Sequence, residues 1–262
     1  MSSEAERQRS KDGKAPRLRK TSTVTPSSWG RRAADLYDAD YAQRYRGVDE
    51  EIHQGALVQR FGGWLGSVCD SFERDIDALD LGCGTGRYFW ALRHVRHLVG
   101  IDVSAAMLAE ARAPVEAARI GIGTLTLIEG DFLAAHLEPN QFDLVYSIGV
   151  LGEHVPFDRT IAARVHSWLS AGGAFAFTGV HRESFSIPRT AKRRAAERLA
   201  PLAPGHVRAS LENRLLSGGL YVDEPYLSRV LAAAGFAIES LERYESDVHL
   251  HCLCVARKGQ RS

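Results

Sequence analysis

Apolar positions along this chain alternate between two spacings. Short apolar runs at 78–81, 97–101, 125–129, 142–147 and 174–178 have polar residues or glycine at their ends and read as buried strands. Between them lie stretches with apolar residues at helical spacing. One starts near Arg87 and carries Tyr88, Phe89, Trp90, Leu92 and Val95 inward; others cover 105–118 and 159–169. A last helix over 224–234, stopped by Gly235, precedes two further strands, near 236–244 and at 249–256. Strands regularly separated by helices predict an α/β fold. Phe175 and Phe177 alternate with Ala174 and Ala176, so this strand suits a sheet covered on both faces.

Two helices are expected ahead of the first strand. Over 32–46, Tyr37, Tyr41 and Tyr45 recur every four residues and share one face; over 50–72, Ile52, Leu57, Val58, Phe61, Trp64, Leu65 and Val68 face inward. Residues 1–28 are rich in Ser, Lys, Arg, Pro and Thr without apolar periodicity, and are read as a disordered, solvated tail. Between Glu183 and Val222 the chain is longer than a simple connection, with Arg189, Lys192, Arg193, Arg194 and Arg198 on an expected helix whose basic side chains form a solvated face or, alternatively, meet a phosphate or carboxylate on a substrate.

The chemistry concentrates after the first strand, in Asp80-Leu81-Gly82-Cys83-Gly84-Thr85-Gly86. Gly82 and Gly84 permit positive φ and let a ligand approach the backbone, while Gly86 leaves room for the next helix to lie on the sheet. The third glycine comes four residues after the first, one short of the dinucleotide fingerprint. Asp80 suits a carboxylate that takes the backbone of the glycine turn or a cationic amino group. Asp102 closes the second strand twenty residues after Gly82, where a carboxylate can accept from both hydroxyls of a ribose. Ser104 is available to cap the helix that follows, which frees Asp102 for that role.

The glycine stretch resembles motif I of the class I S-adenosylmethionine-dependent methyltransferases, which reads D-x-G-x-G-x-G. Asp102 matches their motif II by spacing, Gly130-Asp131-Phe132 is similar to their adenine site, and 142–147 looks like motif IV. The run Val150-Leu151-Gly152-Glu153-His154-Val155 resembles the family's usual continuation into the next helix. The resemblance implies a Rossmann-like, doubly wound, seven-stranded sheet, mostly parallel with an antiparallel last strand, preceded by N-terminal helices and interrupted by a helical lid. The implied organisation is a tail over 1–28 and one methyltransferase domain over 29–262, with N-terminal helices over 29–76, the cofactor-binding core over 77–180 and a substrate lid over 183–222. It also implies S-adenosyl-L-methionine as cofactor, held by Asp80, Gly82, Cys83, Gly84, Gly86 and Ser147. Val103 and Met107 are expected to border the adenine, Asp131 to accept from its amine, and Phe132 to flank it. Tyr37 or Tyr45 is placed near the sulfonium, where an aromatic face favours a cation. The exit of strand four, Ser147-Ile148-Gly149-Val150, lacks the Asn/Asp-Pro-Pro-aromatic tetrapeptide of enzymes acting on nucleobase or glutamine amino groups. His181 and His154 follow strands at the ligand-binding edge and are the candidates for a catalytic base, with Glu153 a more distant one.

Thirty-three basic residues against thirty-two acidic ones leave a net charge of +1, so no overall field recruits nucleic acid or anionic membrane. The expected partner is a small-molecule acceptor methylated on O, N or C. Alternatives are an RNA- or protein-directed enzyme docking through the basic tail, or a non-catalytic cofactor-binding subunit. Cys69, Cys83, Cys252 and Cys254 are too few and too unevenly spaced for a disulfide framework or a four-cysteine zinc site, and no metal is expected. Buried thiols and the lack of a leader or an apolar span point to a reducing, cytoplasmic setting.

Overall fold

The computed structural model describes residues 27–187 and 220–260. In chain order these form α1 (Ser28–Leu36), α2 (Ala39–Ile52), α3 (Ala56–Asp70), β1 (Ile76–Leu81), β2 (Val95–Asp102), α4 (Ala105–Ala111), β3 (Thr124–Glu129), β4 (Phe142–Ser147), α5 (Arg159–Trp168), β5 (Leu169–Val180), α6 (Glu224–Ala233), β6 (Phe236–Glu245) and β7 (Leu250–Lys258). The strands make one sheet in the order β3-β2-β1-β4-β5-β7-β6. Strands β1 to β5 run parallel, and β7 is antiparallel to both β5 and β6. This is the Rossmann-like doubly wound sheet. Its strand order reverses between β1 and β4, which opens a crevice beyond their carboxyl ends, where such sheets hold ligands.

Alternation along each strand separates two cores. Leu79, Leu81, Phe175, Phe177, Cys252 and Cys254 share one face with Ile161 and Val165 of α5 and Leu227 of α6. Ala78, Tyr146, Ala174, Ala176, Leu253 and Val255 share the other with Phe61, Trp64 and Leu65 of α3. The small Ala174 and Ala176 thus oppose the large aromatics on the reverse side. At the amino end of β4 the buried Asp143 joins three elements: Arg74 donates to it at 3.0 Å, the Asp77 backbone N–H at 3.1 Å and the Ser170 hydroxyl at 2.9 Å.

Several expected elements differ. No α-helix follows Gly86; there is a single 3₁₀ turn, Phe89–Ala91, and β2 already begins at Val95. Helix α3 covers this part of the sheet instead, with Phe61, Trp64 and Leu65 in one cluster with Phe89, Ala91 and Leu92. A Cβ on Gly62 of α3 would lie 2.5 Å from the Trp90 ring, which shows how closely the two segments meet. The tyrosine stripe is not one helix either. It breaks at Tyr37, because the Asp38 carboxylate accepts from the Tyr41 backbone N–H at 2.8 Å and caps a new helix. Helix α3 starts at Ala56 rather than residue 50, leaving Ile52 at the exposed end of α2. Helix α4 stops at Ala111, ahead of Pro114, which cannot continue it. Strand β5 begins at Leu169 because Gly172, at φ +74°, is accommodated within it at a register shift against β4. The tail expected over 1–28 lies outside the described residues except for its last two, and so does most of the expected lid, 188–219.

Candidate active site

The glycine turn is pinned over the end of β2. Backbone N–H groups of Gly82 and Cys83 both donate to the Ile101 carbonyl, at 2.8 and 3.1 Å. Gly82, Gly84 and Gly86 have φ of +76°, +54° and +75°, all left-handed conformations that suit glycine. Their bare faces differ in purpose. A Cβ on Gly82 would strike Val150 at 2.7 Å and one on Gly86 would strike the Phe89 ring at 2.7 Å, whereas one on Gly84 would meet only the Met107 methyl, at 3.5 Å. The backbone of Gly84 therefore faces open space.

That space is a cavity of about 360 Å³. Its floor is the carboxyl edge of the sheet, through Asp80, the glycine turn, Asp102, Val103 and Ile148, and its roof is built from the N-terminal helices, through Ala33, Tyr37, Tyr41 and Tyr45. The roof is tied down at three points. Asp131 accepts from the Ser27 backbone N–H at 2.7 Å, and a Cβ on Gly30 would collide with that carboxylate. The Ser104 hydroxyl donates to the Tyr37 carbonyl while capping α4 through the Met107 backbone N–H. The fully buried Asp49 of α2 accepts from the Thr85 hydroxyl and the Arg87 guanidinium, and that guanidinium lies 4.6 Å from the centre of the Tyr45 ring.

Among the Asp, Glu, Lys and Arg side chains of the lining, acidic groups dominate. Asp80, Asp102, Asp131 and Glu153 face Arg87, the only Arg or Lys among the described lining residues, and Arg87 is already paired with Asp49. Burial raises the pKa of Asp80 to about 8, with Asp102 adding to the rise and the nearby Tyr146 hydroxyl opposing it. That hydroxyl is buried and closes no hydrogen bond of normal geometry. Asp102 is raised by burial too, against the backbone donors of Ser104, Gly84 and Val103. Such a site is electrically short of positive charge, and a cationic ligand would supply it.

A methyltransferase domain model matches residues 78–173, the span of the glycine turn, Asp102, Asp131 and β4. Among solved structures, an S-adenosylmethionine-dependent methyltransferase from Mesorhizobium loti aligns at 25% identity over 71% of this chain and 92% of its own, with a TM-score of 0.50. Over this span the chain is similar to S-adenosylmethionine-dependent methyltransferases. Two more distant structures speak to the fold alone. The magnesium protoporphyrin IX methyltransferase of Synechocystis, with bound S-adenosylmethionine, is 15% identical over 90% of this chain and 100% of its own, with a TM-score of 0.60. The [4+2]-cyclase SpnF is 16% identical over 91% and 100%, with a TM-score of 0.61. No protein of curated function matches this sequence.

The cavity brings together Tyr37, Tyr45, Asp80, Gly82, Cys83, Gly84, Asp102, Val103, Met107, Asp131, Phe132 and His154. Three expected residues stand apart from it. Gly86 is packed on Phe89. Ser147 is fully buried and donates to the Leu81 carbonyl at 2.9 Å, tying β4 to β1. His181 is buried at 1% exposure, with Nε2 at 3.2 Å from Glu224 and Nδ1 accepting from the Glu183 backbone N–H at 3.1 Å. Both its nitrogens are engaged away from the cavity, because the bridge from His181 to Val222 seats it between β5 and the start of α6. Cys83 contributes backbone to the cavity while its sulfur packs over Gly100 of β2, and burial raises its thiol pKa well above the usual value. The cavity is also lined by residues that pattern reading assigned to the core or to a strand: Phe61, Tyr88, Tyr146, His249 and His251. Among the described residues, no group of three or more His, Cys, Asp or Glu side chains is placed to hold a metal, and no helix is long and apolar enough to cross a membrane.

Proposed function

We propose that the protein transfers the methyl group of S-adenosylmethionine to a small-molecule acceptor bound in the same cavity. The observation that carries this reading is the roof: α1 and α2, tied to Asp131, Ser104 and Thr85, close the crevice into a space of the size that takes small ligands rather than a polymer. When bound, the donor supplies a methyl carbon on a sulfonium, open to direct displacement. The chain's own work is to hold that carbon and the acceptor in line, and orientation of this kind contributes roughly 7–11 kcal/mol of barrier reduction. Gly84 offers its bare backbone to the donor, and Asp102 accepts from the ribose hydroxyls on lone pairs its backbone donors leave free. Asp131 has the same spare capacity beside Ser27 and Leu133, and takes the adenine amine. Asp80 faces the positive end of the donor, and the rings of Tyr37 and Tyr45 line the path of the sulfonium. His154, with its side chain 57% exposed and 3.8 Å from Glu153, borders the acceptor space.

Incubating the protein with donor labelled in its methyl group and a small-molecule extract is expected to put label into a low-molecular-weight compound. Label in protein or RNA only would defeat the small-molecule reading.

Asp80 gives a second expectation. Its pKa of about 8 leaves it mostly protonated at pH 7, and a cation beside it lowers that value, so donor binding is expected to release protons. Calorimetric binding enthalpies of S-adenosylmethionine at pH 7 should then differ between phosphate and Tris buffers in proportion to their ionisation enthalpies, and Asp80→Asn should abolish the difference. The stability sign runs the same way. A carboxyl raised above its unfolded value favours the folded state at low pH and loses that contribution as pH rises from about 4 to about 8, so Asp80→Asn should melt higher than the parent above pH 8.

A further inference from the structure

The cavity has two ends, and strand order separates them. Asp131, Asp102 and the glycine turn follow β3, β2 and β1, while His249 and His251 lie at the start of β7, beyond β4 and β5. Because β7 is antiparallel, its first residues meet the carboxyl end of β5, with His251 opposite Val180, and so reach the same edge of the sheet. His251 is 3% exposed and packs edge-on against Phe61, with ring centres 5.1 Å apart.

Ser246 engages one nitrogen of His251. Its hydroxyl oxygen lies 3.0 Å from the His249 carbonyl and accepts from the backbone N–H groups of Val248 and His249 at 3.3 and 3.0 Å. The same oxygen lies 3.1 Å from His251 Nε2, which ties that nitrogen into the turn. Nδ1 is buried with no partner. Burial and the neighbouring His249 lower the His251 pKa to about 4, so the ring stays neutral near a sulfonium. A buried polar nitrogen without a hydrogen-bond partner is costly unless a ligand supplies one.

The surroundings define what that ligand is. Phe61, Leu57 and Tyr88 make an apolar, largely aromatic wall. The one Arg in the described lining is committed to Asp49 among four acidic groups, which disfavours an anionic acceptor. An alkylamine would enter as a second cation beside the sulfonium. A neutral hydroxyl avoids both costs.

Resting on the methyltransferase reading, we propose that His251 is the acceptor-binding residue, sharing a hydrogen bond at Nδ1 with the hydroxyl of an uncharged, ring-bearing molecule and so aiming its oxygen along the cavity toward the donor.

Phenol and toluene serve as probes, matched in shape and differing in the hydroxyl. In full-length protein labelled with ¹⁵N-histidine, titrated with and without S-adenosylhomocysteine, phenol should move the His251 Nδ1 resonance and toluene should not. His251→Leu should weaken phenol binding by about tenfold or more, the scale of one buried hydrogen bond. His251→Asn, whose side-chain amide offers both a donor and an acceptor in place of Nδ1, should restore most of it. Both variants should keep the parent's affinity for S-adenosylhomocysteine, which also shows that they fold. Phenol leaving the His251 resonance in place, or binding His251→Leu as tightly as the parent, would overturn the proposal. Failure of S-adenosylhomocysteine to bind the parent protein would instead bring down the donor reading, with the phenol titration still deciding the role of His251.

Discussion

Replacing Asp102 by Ala is expected to lower affinity for S-adenosylhomocysteine by about a hundredfold or more, since each buried polar group left unpaired costs roughly 1–3 kcal/mol and 1.4 kcal/mol is tenfold. The carboxylate holds both sides of the donor site at once: Oδ2 accepts from the Gly84 backbone N–H at 2.9 Å and Oδ1 from that of Ser104 at 3.0 Å. Its loss orphans those two donors, lets the turn around Gly84 drift and removes the proposed ribose acceptor. Asp102→Asn separates these effects. The amide keeps the shape and one acceptor oxygen, so the turn should stay seated while affinity falls by an intermediate amount. Calorimetry with both variants makes the check, and parent-like binding by Asp102→Ala would remove Asp102 from the donor site.

Asp143→Ala is expected to destabilise the fold by about 3 kcal/mol without touching donor affinity, because removing one member of a buried ion pair typically costs roughly 3–5 kcal/mol and the half-exposed Arg74 can recover water. The orphaned groups are the Asp77 backbone N–H and the Ser170 hydroxyl, at the amino end of β4, away from the crevice at its carboxyl end. For a domain of this size the melting temperature should fall by roughly 6–12 °C. Arg74 and these donors hold the Asp143 pKa below the ordinary carboxylate value against the opposing effect of burial, so the stabilisation is present above pH 4 and fades as pH drops through the lowered value. Thermal unfolding at pH 7 and again near pH 3 should therefore show a large gap between variant and parent that narrows in acid. An equal gap at both would mean that the carboxylate charge is not what stabilises the junction.

Elements built on local signals were readable from the chain. The strand ends and the glycine turn need only neighbouring residues, so Asp80, Gly82, Gly84 and Asp102 could be assigned from spacing, and all of them line the cavity. Two breaks were also written locally, in Asp38 as a cap and Pro114 as a stop. The 3₁₀ turn after Gly86 was not legible, because what displaces a helix there is α3, a segment far earlier in the chain. The acceptor end was hidden for a related reason. Phe61 reads as one more core residue of an amphipathic helix, and His251 alternates in a strand like any other; only the pairing of β7 with β5 carries that histidine to the crevice. His181 shows the converse. It does follow a sheet strand, yet Glu224 and the Glu183 backbone occupy both its nitrogens.

One feature of the roof bears on turnover. Asp131, the proposed clasp for the nucleobase, is also where Ser27 anchors the beginning of α1. Donor release and the seating of the first helix therefore share one carboxylate, and weakening the Ser27 contact is expected to quicken release of the spent donor.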